Sequence, residues 1–263
     1  MDIHFFNPGA DAIMESILGF QSDEESDFWT RPLYDFYPQL DQEQARKLPF
    51  AERKAYIERV MRAVYAEQEG VLNQKAAAYA EQWREDREPI TSALSDAFDT
   101  DCSKLFDDLQ CRVSLNPIEP RFLTERRFDV FYLNSARGAI GECIHEIIHF
   151  VWFHVWNQVF HDGYDAYERP SLPWIMSEMV VESIMRDRRL SERNPYFPRE
   201  NGGCVYPYFF TLNTTDGPAL EVLDQMYRQK PIRAFMKDGF AWCRAHEQEI
   251  RAHIKKAEEA TNR

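Results

Sequence analysis

The chain has 263 residues and a formal net charge of −13, from 44 acidic and 31 basic side chains. That balance argues against nucleic acid or an anionic membrane as the main partner, since both repel a polyanion. Hydrophobic residues make up 44% and aromatic residues 14% of the sequence, enough to bury a sizeable core in one large domain or two small ones.

Met1-Asp2-Ile3-His4-Phe5-Phe6 lacks a basic segment followed by an apolar run, so no signal peptide is expected. No apolar stretch reaches membrane-spanning length. Five cysteines, an odd number with no C-x-x-C pair, suit a reducing compartment, and the expected location is the cytoplasm.

Residues 1–40 are punctuated by Pro8, Gly9, Pro32 and Pro38 and read as irregular, with one short helix over 10–18. The acidic patch 23–27 reads as a solvated loop. Trp29, Tyr34, Phe36 and Tyr37 read as aromatic packing without regular structure. From 41 to 98 the pattern is helical. Tyr56, Ile57, Val60, Met61 and Val64 recur at helical spacing, Gly70 is a candidate break, and Pro89 is a candidate first-turn residue of a further helix. Residues 111–116 and 128–133 alternate apolar and polar, which predicts two strands of a small, antiparallel sheet.

The second strand leads into His145-Glu146-x-x-His149. Histidines four apart stand one above the other on a helix, so both rings reach one metal ion. Glu146 lies about 60° around the helix from His149, near enough to hold a water at that ion. Zinc hydrolysis needs these groups: neutral imidazole ligands, an open position, and a carboxylate to take a proton. The surrounding segment, 138–160, is apolar on nearly every side, so the helix is buried. Gly138 and Gly141 fall on the histidine face and allow either a substrate or another backbone to come close. Val155 and Trp152 stand where a metzincin needs its third histidine and its glycine, which excludes that subclass. His154 points away from His145 and reads as a core residue or as support behind the ligands. His161 ends the helix.

A second apolar helix follows Ser171 as N-cap, with Pro173 in its first turn. It carries Glu178 and Glu182 on one line, flanked by Trp174, Ile175, Val181 and Met185. Two carboxylates in an apolar stripe need positive partners, and a zinc ion with a zinc-bound histidine would serve.

His145-Glu146-x-x-His149, followed after residues 150–177 by Glu178-x-x-x-Glu182 on a second helix, resembles the gluzincin class of zinc metallopeptidases. The resemblance implies one zinc ion per chain held by His145, His149 and Glu178, with Glu146 as general base and Glu182 orienting His145. Glu182 stands where the class usually has Asp, which leaves open an exchange of roles between Glu178 and Glu182. The class also places an oxyanion donor, Tyr or His, in the C-terminal part. Tyr206 and Tyr208 in the Pro- and Gly-rich loop 191–218, and His246 on the apolar seam of a final helix over 231–260, are the candidates.

The expected fold is mainly α with a small antiparallel-containing β-sheet, an α+β arrangement with a zincin-like core at 105–190. A helical segment, 1–104, packs on that core. A loop, a candidate lid, and closing helices follow at 191–263, the whole forming one compact unit. The expected function is zinc-dependent hydrolysis of peptide or amide bonds, with a peptide or protein as partner. The alternative is a non-catalytic zinc scaffold or regulator.

Overall fold

A computed structural model describes residues 1–22 and 29–261; the acidic patch 23–27 lies outside them. The chain is mostly helical with a small mixed sheet, an α+β fold. Strand β1 (Ile3–Phe6) and helices α1 (Ala10–Gly19), α2 (Arg31–Phe36) and α3 (Gln42–Lys47) come first. Then follow α4 (Phe50–Phe98), β2 (Leu109–Ser114), β3 (Arg121–Phe122) and β4 (Arg127–Phe131). Helices α5 (Ala136–Phe160), α6 (Leu172–Met185) and α7 (Arg188–Ser191) carry the chain to the long loop. Helices α8 (Ala219–Gln229), α9 (Ile232–Ala245) and α10 (Glu247–Thr261) close it. No helix among the described residues is long and apolar enough to cross a membrane.

The sheet differs from the expected antiparallel pair. Its order is β1-β2-β4-β3. Strand β2 runs parallel both to β1 (Ile3 opposite Leu109) and to β4 (Gln110 opposite Arg127), and only β3 is antiparallel, to β4. The N-terminal segment, read as irregular, supplies β1 by burying Ile3 and Phe5 on the sheet. The edge strand β3 comes from between the two predicted strands, where no strand is expected. The strand that leads to the histidine helix is therefore an inner one.

Helix α4 is continuous through Gly70 and Pro89, where breaks are predicted. Its 49 residues span about 74 Å at 1.5 Å per residue. Glycine costs a helix about 1 kcal/mol and an interior proline about 3 kcal/mol. An unbroken buried stripe outweighs both: Ile57, Met61, Val64, Leu72, Ala76, Tyr79, Trp83, Ile90, Leu94 and Phe98 all face the core. The stripe also positions the site. The Tyr79 hydroxyl donates to the carbonyls of Asn134 (2.8 Å) and Tyr132 (3.1 Å), and Lys75 Nζ donates to Asn134 O (2.8 Å). These bonds pin the turn that opens α5.

The predicted helix over 231–260 is two helices, α9 and α10, interrupted at His246. Helix α2 likewise takes Tyr34 and Phe36, read as irregular, into a short regular turn.

A buried ion pair ties α1 to the sheet. Arg112 donates to Asp129 through Nε (2.6 Å) and Nη2 (2.9 Å), and Ser16 Oγ donates to Asp129 Oδ2 (2.9 Å). The two side chains are 9% and 1% exposed. Removing one partner of such a pair strands a buried charge at a cost of about 3–5 kcal/mol. Asp129→Ala is expected to lose stability of that order in denaturant unfolding. A loss below about 1 kcal/mol would mean that Arg112 finds water instead.

Candidate metal centre

Helix α5 starts where Ser135 accepts a hydrogen bond from Gly138 N (3.0 Å), and it ends at His161 in the left-handed conformation (φ 58°). Between these caps nearly every residue is buried, so the register of His145, Glu146 and His149 is set by packing on all sides. Helix α6 starts as expected, with Ser171 Oγ accepting from Trp174 N (3.1 Å). It brings Glu178 opposite the two histidines.

His145, His149 and Glu178 converge. The two Nε2 atoms are 3.1 Å apart. Glu178 Oε2 lies 3.5 Å from His145 Nε2, and Oε1 lies 3.4 Å from His149 Nε2. Ligand atoms about 2.0–2.1 Å from a tetrahedral zinc ion stand about 3.3–3.4 Å from one another. The two imidazole nitrogens, and each imidazole with its nearer Glu178 oxygen, are close to that spacing. The chemistry of the donor set fits too, as two imidazoles and one carboxylate leave a fourth position open. The Nδ1–H of His145 donates to the Cys204 carbonyl (3.0 Å), which points Nε2 toward Glu178 and His149. His149 is fully buried, and among the described residues its Nδ1 meets no hydrogen-bonding partner, so Nε2 is the atom it offers.

Burial disfavours charge on both rings. In His149 it prevails, reinforced by the Arg121 charge, and the imidazole falls to about 3. In His145 the hydrogen bond to Glu178, with the charges of Glu146, Glu178 and Glu142, outweighs burial and raises the ring to about 9. Glu146 stands beside the cluster with Oε1 4.0 Å from His145 Nε2. Burial raises its carboxyl above the usual range, while Arg121 and His145 pull it back. One turn earlier on α5, Glu142 also lines the cleft and is pushed up to about 7, chiefly by burial.

The cleft over this cluster encloses about 360 Å³. Arg121 of the edge strand forms part of one wall, and the loop 194–207 forms the other. That loop is tied down. A Cβ on Gly138 would meet Tyr196 Oη at 2.7 Å, and one on Gly141 would meet Asn194 Oδ1 at 2.6 Å and Asn194 Cα at 3.3 Å. The close approach that these glycines permit is thus made by the chain itself, by a side chain at Gly138 and by side chain and backbone at Gly141. Gly141→Ala must displace buried Asn194, whose Oδ1 also accepts from Tyr196 N (2.9 Å). It is expected to cost about 1–3 kcal/mol by overpacking, read as a lowered Tm. An unchanged Tm would show that the loop yields freely.

The other named residues take different places. Glu182 does not support His145, which is served by the Cys204 carbonyl. Its carboxylate is held by Arg199 (2.8 and 3.1 Å) and Arg186 (2.9 Å), so it anchors the loop that carries Cys204. Tyr206 lines the cleft, whereas Tyr208 is stacked behind it, with ring centroids 5.3 Å apart and planes 2° from parallel. His246 lies elsewhere: its Nδ1–H donates to the Trp242 carbonyl (3.0 Å), and its Nε2 is 3.3 Å from Asp216. His154 is half-buried near Phe106 and contacts Gln158, apart from the cluster.

Two site groups escaped the sequence reading. The Cys204 carbonyl is a backbone atom and leaves no mark in residue type. Arg121 falls between the two predicted strands, where the sequence pattern marks no site residue. Comparison with protein-family models, with curated proteins and with solved structures finds no match to this chain.

Proposed function

We propose that the chain is a zinc-dependent hydrolase of peptide or amide bonds, of gluzincin type with a zincin-like core. The observation that carries this reading is the convergence of two imidazole Nε2 atoms 3.1 Å apart with the Glu178 carboxylate, one oxygen of which lies 3.5 Å from His145 and the other 3.4 Å from His149, and with the Glu146 carboxylate alongside. His145, His149 and Glu178 would hold one zinc ion. Such an ion supplies Lewis acidity and lowers the pKa of water.

The chain's own groups do the rest. Glu146 accepts a proton from the attacking water and returns it to the leaving amine. Burial supports that role, because it lifts the carboxyl toward the working pH. Tyr206 lines the cleft where a peptide would bind, and the edge strand β3 lies in the cleft wall, where an extended peptide can add to the sheet. All five cysteines are buried free thiols, which supports a reducing compartment such as the cytoplasm. The test is a mixed-sequence peptide library incubated with the zinc-loaded protein. Cleavage that stops with chelator and returns with zinc is expected, and no cleavage of any peptide would count against the reading.

A further inference from the structure

The sequence reading placed the oxyanion donor on Tyr206, Tyr208 or His246. Two of these lie behind or away from the cleft, which leaves the charge on the attacked carbonyl with one neutral candidate. Arg121 is better placed by charge and position. Its side chain is only 8% exposed, and its Nη1 stands 3.2 Å from Glu146 Oε2 and 3.7 Å from Glu178 Oε1. A guanidinium has five N–H groups in a rigid fork. Only the Nη1 group is engaged by these carboxylates. Among the described residues Nε and Nη2 have no hydrogen-bonding partner, and the side chain lines the cleft. A buried cation with spare donors, set between the base and a candidate ligand, is preorganised for an anion that forms at that spot.

We propose that Arg121 is a catalytic residue of this cleft, whose guanidinium receives the negative charge developing on the attacked carbonyl oxygen. The inference rests on the hydrolase reading above. In the addition step the water oxygen bonds to the carbonyl carbon. The C=O π electrons move onto the oxygen beside Arg121, and the water proton passes to Glu146. On collapse those electrons re-form C=O, the C–N bond breaks, and its electron pair stays on nitrogen, which takes the proton from Glu146. Arg121 gains and loses no proton. The competing role is that of a counter-ion that merely neutralises Glu146 and Glu178.

The experiment compares wild type, Arg121→Met and Arg121→Lys, each loaded with zinc. It measures zinc content, kcat and KM on a cleaved peptide, and calorimetric affinity for the matching phosphonamidate peptide, whose anionic tetrahedral phosphorus imitates the addition step. Arg121→Met is expected to keep its zinc, lose about 10²–10³-fold in kcat and change KM less than about threefold. Phosphonamidate affinity should fall by the same factor as kcat, and lysine should restore about tenfold of it, since it keeps charge but not the fork. If Arg121→Met misfolds, Arg121→Lys carries the test through the paired loss in kcat and phosphonamidate affinity. Wild-type kcat and phosphonamidate affinity in a zinc-loaded variant would overturn the assignment of Arg121 alone. Failure of the wild type itself to bind zinc or cleave peptides would overturn the hydrolase reading and this inference together.

Discussion

His149→Ala is expected to abolish zinc binding, from about one ion per chain to none, and to remove the metal-dependent part of the protein's stability. The ring is fully buried, and its Nε2 lies 3.1 Å from His145 Nε2 and 3.4 Å from Glu178 Oε1. Alanine leaves His145 and Glu178, too few ligands for a structural or catalytic zinc site. A ligand that binds only the folded state stabilises it by RT ln(1 + [L]/Kd), about 4 kcal/mol at a thousandfold excess over Kd. In a chain of this size that is worth roughly 8–16 °C in Tm. Chelator should therefore lower the wild-type Tm by about that much and leave the variant unmoved. A variant that still binds zinc stoichiometrically would show that the donors are not these three.

Glu146→Gln is expected to keep zinc and lose about 10³-fold or more in kcat. Glutamine has the same shape but cannot take a proton from water, and general base catalysis is worth about 10²–10⁴-fold. The side chain is not one of the three converging donors, since Oε1 stands 4.0 Å from His145 Nε2. The substitution removes one partner of Arg121, which still faces Glu178 at 3.7 Å, so the wall of the cleft should hold. Zinc content by elemental analysis and single-substrate kinetics separate the two effects. Activity within tenfold of wild type, with zinc bound, would remove Glu146 from the mechanism.

How much of this was legible follows from the range of each interaction. The register of His145, Glu146 and His149 is local, because four residues of helix set it. Glu178 was legible because a carboxylate among Trp174, Ile175 and Val181 needs a partner. The same argument misdirected Glu182. Its cations, Arg186 and Arg199, lie at the end of the helix and in the following loop, and the apolar pattern around Glu182 says nothing of arginines that fold back onto it. Sheet topology was hidden for a similar reason. Strand β1 pairs with β2 across more than a hundred residues, and alternation in a strand carries no record of its partner's direction. Gly70 and Pro89 are real local penalties, outweighed by a buried stripe whose extent only tertiary packing reveals. The hydrogen bond to the Cys204 carbonyl depends on backbone placement alone.

The most direct test of the central claim is elemental analysis of the purified wild-type protein, beside protein reconstituted with zinc after chelation. About one zinc ion per chain, retained through gel filtration, is the result expected. No zinc in either sample would contradict the account, and His145, His149, Glu178 and Arg121 would then be a buried polar network that holds two helices and a strand together.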